Sequence, residues 1–308
     1  MRLSIVTTMF HSAPYLMEFY ERIKREAEKI TSDYEIIFVN DGSPDNSLRL
    51  VLDFQKADKR VVVVDLSRNF GHHRAMMTGL SFAQGDKVFL IDCDLEEKPE
   101  LLGEFDDRFK KGDCDVVYGV QELRKGSWFE RVSGTLFYKL MNVLSTLPLP
   151  SNSIVARLMS KRYLHSLLEH KERELFILGI WEITGYEQVA LMTMKGDKKK
   201  TTYSFRKKLS SFVNAVTSFS DKPLYLIFIT GLMIWVFSLF YACYLVVQKL
   251  FFLKTLDGWT SVIVSVWFLG GLIVCFLGII GIYISKIFIE TKSRPYTVVR
   301  KVYKYSDK

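Results

Sequence analysis

Apolar positions divide this chain into two unlike regions. Through the first 120 residues, short apolar runs alternate with amphipathic stretches, whereas residues 224–285 are almost continuously apolar. Residues 3–9 (LSIVTTM), 34–39 (YEIIFV), 61–66 (VVVVDL), 88–91 (VFLI) and 115–120 (DVVYGV) have the composition of buried strands. Between them, Pro14 opens a helical pattern with Leu16, Phe19, Tyr20, Ile23, Ala27 and Ile30 on one face. Ser43 and Pro44 suit the N-cap and first position of a second helix. A third helix is expected to end at Ala83, and a fourth to run from Pro99 to about Lys110. Strands alternating with helices at this pitch predict an α/β domain, its mainly parallel sheet covered on both faces.

The fourth apolar run leads straight into Asp92, Cys93 and Asp94. Carboxylates at i and i+2 share a site only where the backbone turns, as it does at a strand end. In open α/β sheets that edge is where ligands bind. The pair offers hard oxygen ligands to Mg²⁺ or Mn²⁺, which would also grip a diphosphate. Asp41 ends the second strand in the same way, in Asn40-Asp41-Gly42-Ser43. Alone, the Asp92–Asp94 segment is equally well explained as a solvated turn, and Asp41 is better explained as a turn former.

Asn40–Ser43, Leu66–Gly71 (LSRNFG) and Asp92–Glu100 (DCDLEEKPE) together resemble the ordered motifs of family 2 glycosyltransferases with the GT-A fold. Val117–Val120 with Arg124, then Arg131 with Phe137-Tyr138, resemble the polyisoprenyl-phosphate branch of that family. This branch includes dolichyl-phosphate mannose synthase and bacterial undecaprenyl-phosphate glycosyltransferases. The resemblance implies a GT-A, Rossmann-like domain that moves one sugar from a nucleotide sugar to a polyprenyl phosphate. It implies that Asp41 contacts the nucleotide and that Asp92 and Asp94 hold the metal and diphosphate. Arg124 and Arg131 would reach the donor diphosphate or acceptor phosphate, a role suited to the planar guanidinium fork. Arg157, in the run RLMS, fits the same pattern and joins Asp92, Asp94 and Arg131 as a candidate catalytic residue.

The chain departs from the branch at three places. Glu96 stands where the family has Gln and is a candidate third metal ligand. Gln121 stands where Arg is common. Val155 occupies the position, two residues before Arg157, where the branch carries a carboxylate. A phosphate monoester is already mostly doubly ionised near neutral pH. Its oxygen needs positioning and charge compensation more than a base.

The second region changes the picture from a soluble enzyme to an anchored one. Residues 224–247 and 261–285 are free of charged side chains, and each run exceeds the roughly 20 residues that span a bilayer. Residues 195–208 carry seven Lys/Arg against one Asp. Such a cluster beside a membrane attracts anionic headgroups, and Lys198, Lys199 and Lys200 are candidates to hold a lipid phosphate. Phe205, Leu209, Phe212, Val213, Val216 and Phe219 recur at helical spacing, as in a helix lying in the interface. The expected order is a catalytic domain at 1–204, an interfacial helix at 205–222, a two-helix anchor at 223–289 and a tail at 290–308. Basic residues flank the pair of spans more densely than they occupy the loop between them, placing both termini in the cytoplasm and the protein in the plasma (inner) membrane. Gly270, Gly271, Gly278 and Gly281 permit close helix packing and are compatible with a homo-oligomer. Residues 294–299 (RPYTVV) read as a short strand available to a neighbouring subunit's edge.

Composition narrows the alternatives. A net charge of +8 suits nucleic acid, anionic lipid or phosphorylated substrates. The basic run is membrane-proximal and no nucleic-acid-binding motif is apparent, which disfavours the first. Four cysteines without metal spacing suggest neither zinc nor a disulfide framework. Residues 1–10 lack a signal-peptide pattern, so none is expected. Two other readings remain at this level: a glycosyltransferase with a glycan or glycolipid acceptor, and a non-catalytic sugar-nucleotide-binding membrane protein.

Overall fold

A computed structural model describes residues 2–121, 152–173, 175–193, 220, 222–252 and 258–305. Arg124, Arg131, Lys198, Lys199, Lys200 and the amphipathic segment 205–219 lie outside the described residues. The five expected strands are present as β1 (Leu3–Met9), β2 (Tyr34–Asn40), β3 (Val61–Leu66), β4 (Lys87–Leu90) and β5 (Val116–Gln121). The intervening helices are α1 (Leu16–Ile30), α2 (Ser47–Ala57), α3 (His72–Phe82) and α4 (Leu101–Phe109). Next come β6 (Ser153–Ser160), α5 (Lys161–Glu169), α6 (Ile177–Ile183) and β7 (Gln188–Thr193). Two long helices, α7 (Lys222–Phe252) and α8 (Trp259–Thr291), and the strand β8 (Val299–Tyr303) complete the described chain.

The strands form one sheet in the order β7-β5-β6-β4-β1-β2-β3-β8. β4, β1, β2 and β3 are mutually parallel, and β5 pairs in parallel with β7. β6 runs antiparallel to both β4 and β5. The pleat sends alternate residues to opposite faces, and this builds two cores. Leu3, Ile5, Ile36 and Phe38 pack with α1, α2 and α4; Val6, Ile37 and Val39 pack with α3, α5 and α6.

The sheet is mostly parallel, as expected, with β6 as an antiparallel strand within it. Two expectations need correction. α2 begins at Ser47, not beside Ser43: the Ser43 hydroxyl donates to Asp45 and accepts the His11 N–H, while Asp45 accepts the Ser47 N–H at 3.0 Å. The tail strand lies later than residues 294–299: β8 covers Val299–Tyr303, pairs antiparallel with β3 of the same chain from Leu66↔Val299 to Val63↔Tyr303, and ends the strand order. Arg300 strengthens this closure by donating to the Ser67 carbonyl at 2.6 Å.

α7 and α8 are 31 and 33 residues long and overrun the expected spans at both ends. Phe268–Thr291 of α8 is long and apolar enough to cross a membrane. Its side chains, among them Ile273, Val274 and Leu277, face outward, as lipid-facing residues do. Where α8 ends, the chain returns to the sheet. Glu290 Oε1 accepts the Arg173 N–H at 2.8 Å, and Thr297 and Thr78 share a 2.7 Å hydrogen bond.

Candidate active site

The strand order turns at β1, whose neighbours β4 and β2 lead in opposite directions along the sheet. Such a switch point opens a crevice at the carboxyl ends of parallel strands. Asp41 follows β2 and Asp92 follows β4, so the crevice has a carboxylate on either side of the end of β1.

Asp41 is buried, and its two oxygens accept the N–H groups of Phe70 and Gly71 at 2.7 and 3.0 Å. This ties the β2 loop to the loop before α3. Gly42 makes the approach possible: its φ is +63°, and a Cβ there would lie 2.5 Å from backbone atoms of Arg68 and Asn69. Burial pushes the Asp41 carboxyl above its usual range, opposed by those two backbone hydrogen bonds.

Asp92 and Asp94 retain partial exposure. His72, the first residue of α3, bridges the crevice: Nδ1 lies 3.0 Å from the Thr8 hydroxyl and Nε2 lies 3.3 Å from Asp92 Oδ1. Its protein surroundings disfavour the charge, but Asp92, with Glu97 and Asp41 beyond it, outweighs them and raises the His72 pKa. Neighbouring His73 is pushed down by burial and by His72. Cys93 is turned away from the crevice, its thiol donating to the Thr8 carbonyl at 3.1 Å; burial pushes that thiol up to about 12.

The Asp92 and Asp94 carboxylates form a hard-oxygen donor set suited to Mg²⁺ or Mn²⁺. Among the described residues no three ligating side chains gather. Magnesium sites built on one or two carboxylates, completed by water and substrate phosphate, are common, and the residues present fit that type.

After Asp94 the chain turns sharply. Leu95 adopts φ +62°, and Asp94 Oδ1 accepts the Glu96 N–H at 3.0 Å. The turn carries Glu97 into the interior, where it accepts the N–H groups of Val155 and Ala156. Because β6 is antiparallel to β4, its first residues lie at the edge where β4 ends. A cavity of about 300 Å³ opens there, lined by His73, Glu97, Gln121, Val155 and Trp181 among others.

Arg157 is not on the open surface. It is 2% exposed, stacked on Trp181 and near Tyr118. Its Nε and Nη1 find no acceptor among the described residues, and burial lowers its pKa to about 10. Trp181 belongs to the core on the α3 side and also lines the cavity. Sequence reasoning gave no role to His72 or Glu97. The His-His pair at a helix start was a weak signal for the first; nothing distinguished Glu97 from a solvated glutamate.

The family model described as "Glycosyl transferase family 2" matches residues 4–168, more than half of the chain. A Mycobacterium tuberculosis (strain CDC 1551 / Oshkosh) protein named among the glycosyltransferases is 50% identical over 303 residues, 98% of this chain and 89% of that one.

The chain belongs to glycosyl transferase family 2.

Within the family, the "SfII prophage-derived bactoprenol glucosyl transferase" of Shigella flexneri is 29% identical over 98% of both chains. The solved mannosyltransferase PcManGT of Pyrobaculum calidifontis shares the fold, with a TM-score of 0.50 at 15% identity, over 70% of this chain and 62% of that one. The chain thus spans somewhat less than two thirds of that solved protein. The α/β domain is GT-A-like, and the crevice at Asp41 and Asp92 is its candidate active site.

Proposed function

We propose that this glycosyltransferase moves one sugar from a nucleotide sugar to a polyprenyl phosphate, undecaprenyl phosphate in a bacterium, at the cytoplasmic leaflet. The observation that carries this reading is the attachment of the carboxylate crevice to an apolar helix. The loop at Arg173 and the strand β8 fasten the end of α8 to the catalytic sheet. A site held at a bilayer suits an acceptor dissolved in it, and the bactoprenol-acting relative supports the same acceptor class. Both α7 and α8 cross the membrane, residues 205–222 lie in the interface, and both termini are cytoplasmic.

The reaction is a single inverting displacement. An ionised oxygen of the lipid phosphate attacks the anomeric carbon, and the bond to the nucleoside diphosphate breaks. Asp92 and Asp94 would hold a Mg²⁺ or Mn²⁺ that compensates the charge on the diphosphate. Asp41 shapes the nucleotide end of the crevice by fixing the Phe70–Gly71 backbone. His72 orients Asp92. Arg124 and Arg131 bind the donor diphosphate or acceptor phosphate, and Lys198, Lys199 and Lys200 gather the lipid phosphate at the mouth of the site. Arg157 supplies positive potential from below, in a setting where charge is weakly screened.

The test is sugar transfer by the full chain in detergent, with undecaprenyl phosphate, a panel of nucleotide sugars, and Mg²⁺, Mn²⁺ or EDTA. A lipid-linked sugar that requires metal and disappears in Asp94→Ala is expected. Turnover only with a glycan or glycolipid acceptor would reject the polyprenyl assignment. Metal-dependent nucleotide binding without turnover on any acceptor would reject the enzyme.

A further inference from the structure

Asp65 stands out from the composition of its strand. It follows four valines in β3 and is only 1% exposed. A carboxylate held inside a fold is costly unless it is paired and hydrogen-bonded, and the partners of Asp65 come from the strands on either side. Asn40, opposite it on β2, donates through Nδ2 to Oδ1 at 2.8 Å. Arg300 of β8 donates through Nη1 to Oδ2 at 3.4 Å.

Arg300 reaches Asp65 because β8 is irregular there. Val302 and Lys301 pair with Val64 and Asp65, but the next pair is Leu66↔Val299, so Arg300 is the extra residue of a β-bulge. Bulges re-aim a side chain and concentrate beside functional sites. Here the guanidinium fork meets two acceptors: Nη1 faces Asp65, and Nη2 donates to the Ser67 carbonyl at 2.6 Å. The backbone adds a third tie, the Ser67 N–H donating to the Val298 carbonyl at 2.9 Å.

Both grips lie at the roots of the loops that form the crevice. Asn40 begins the loop Asn40–Ser43, and its Oδ1 accepts the Ser43 N–H at 3.1 Å. With its amide nitrogen held by Asp65, that oxygen is aimed at the turn. Ser67 begins the loop 67–71, whose far end Asp41 fixes through the Phe70 and Gly71 N–H groups. The two loops are thus joined twice, by Asp41 at the crevice and by Arg300 at their roots. The close packing of Gly42 on Arg68 and Asn69 leaves little slack between them.

We propose that Arg300 is a positioning residue for the nucleotide end of the crevice. By holding Asp65 and the Ser67 carbonyl, and Asn40 through Asp65, it sets the spacing of the two loops that Asp41 ties together. The strand that arrives after α8 thereby completes the donor site. The proposal rests on the reading of this crevice as a nucleotide-sugar site. Linkage makes the effect reciprocal: a nucleotide that needs the loops in this arrangement also tightens the docking of β8.

The experiment is calorimetric titration of the full chain in detergent with uridine and guanosine diphosphates and Mn²⁺. The parent is compared with Arg300→Ala and Arg300→Lys, well below the Tm of each. The diphosphate that binds the parent should bind Arg300→Ala about fivefold more weakly. Arg300→Lys keeps the charge but has no fork to span both acceptors, so it should recover part of that loss. In transfer assays the donor KM should rise in step while the acceptor KM stays unchanged. Hydrogen exchange supplies the reciprocal readout: in the parent, bound diphosphate should slow exchange of the β8 amides severalfold. That arm needs no variant, so it decides the matter even where Arg300→Ala does not fold. A lower Tm in Arg300→Ala with unchanged diphosphate affinity would make Arg300 a structural closure of the sheet and overturn the proposal. Exchange in β8 that ignores the bound nucleotide would do the same. If no diphosphate binds the parent chain, the nucleotide reading of the crevice itself fails and the proposal falls with it.

Discussion

Glu97 Oε1 and Oε2 accept the backbone N–H groups of Val155 and Ala156, at 2.9 and 2.8 Å. A side chain three residues past the Asp92/Asp94 pair thus holds the start of β6 against the site. Glu97→Gln replaces one acceptor oxygen with an NH₂ that faces a backbone donor. Leaving a buried donor unsatisfied costs about 1–3 kcal/mol, which lowers Tm by about 2–4 °C per kcal/mol for a domain of this size. Thermal unfolding in detergent checks this; an unchanged Tm would mean the clamp does not bear on stability.

The same clamp bears on the carboxylate missing at Val155. Val155→Asp would set a second carboxylate beside Glu97, and like charges disfavour each other's ionisation. The expected outcome is a transfer rate equal to or below that of the parent. A large rate gain in steady-state assays would show instead that the reaction had lacked a base.

Arg157 is a buried guanidinium with unpartnered nitrogens, stacked on Trp181. Replacing buried charges with apolar residues is often neutral or stabilising. Arg157→Met should therefore keep Tm within about 4 °C while transfer falls on the order of a hundredfold. A collapse of Tm with normal activity per folded molecule would make Arg157 a purely structural residue.

Asp45 carries the pH-dependent part of the argument. Despite the burial that opposes it, hydrogen bonds from Ser43, Ser47 and the Ala13 N–H hold its pKa well below the ordinary 3.8. A carboxyl depressed in the folded state stabilises fully above its unfolded pKa and loses that contribution as pH falls through the folded one. Asp45→Asn should destabilise by about 1 kcal/mol at pH 7, the scale of a lost helix cap. The gap between variant and parent should narrow below pH ~4. Paired denaturation curves across pH test it; a constant gap would contradict the assignment.

Glu290, near the end of α8, accepts the Arg173 N–H at 2.8 Å, and Arg74, two residues after His72, donates to the Arg173 carbonyl at 3.0 Å. The apolar helix α8 is thereby connected to α3, which places His72 beside Asp92. Glu290→Ala should raise KM for the lipid acceptor severalfold, about 1 kcal/mol in effect, with nucleotide affinity unchanged. An equal loss for donor and acceptor would indicate general misfolding.

The local features were legible because they depend on neighbours in sequence. Apolar runs fixed β1 to β5, the carboxylates at the ends of β2 and β4 marked the crevice, and the ordered motifs implied the family. Local pattern misplaced the start of α2, because the tertiary contact between Ser43 and His11 competes with capping. What only the tertiary structure decided involves partners far apart: Glu97 with Val155, 58 residues away, and β8 with β3. It also decided that Arg157 lies inside and Trp181 beside a cavity. Strand order, and with it the direction each side chain takes, is set by which surfaces pack together, and one chain's periodicity does not encode that choice.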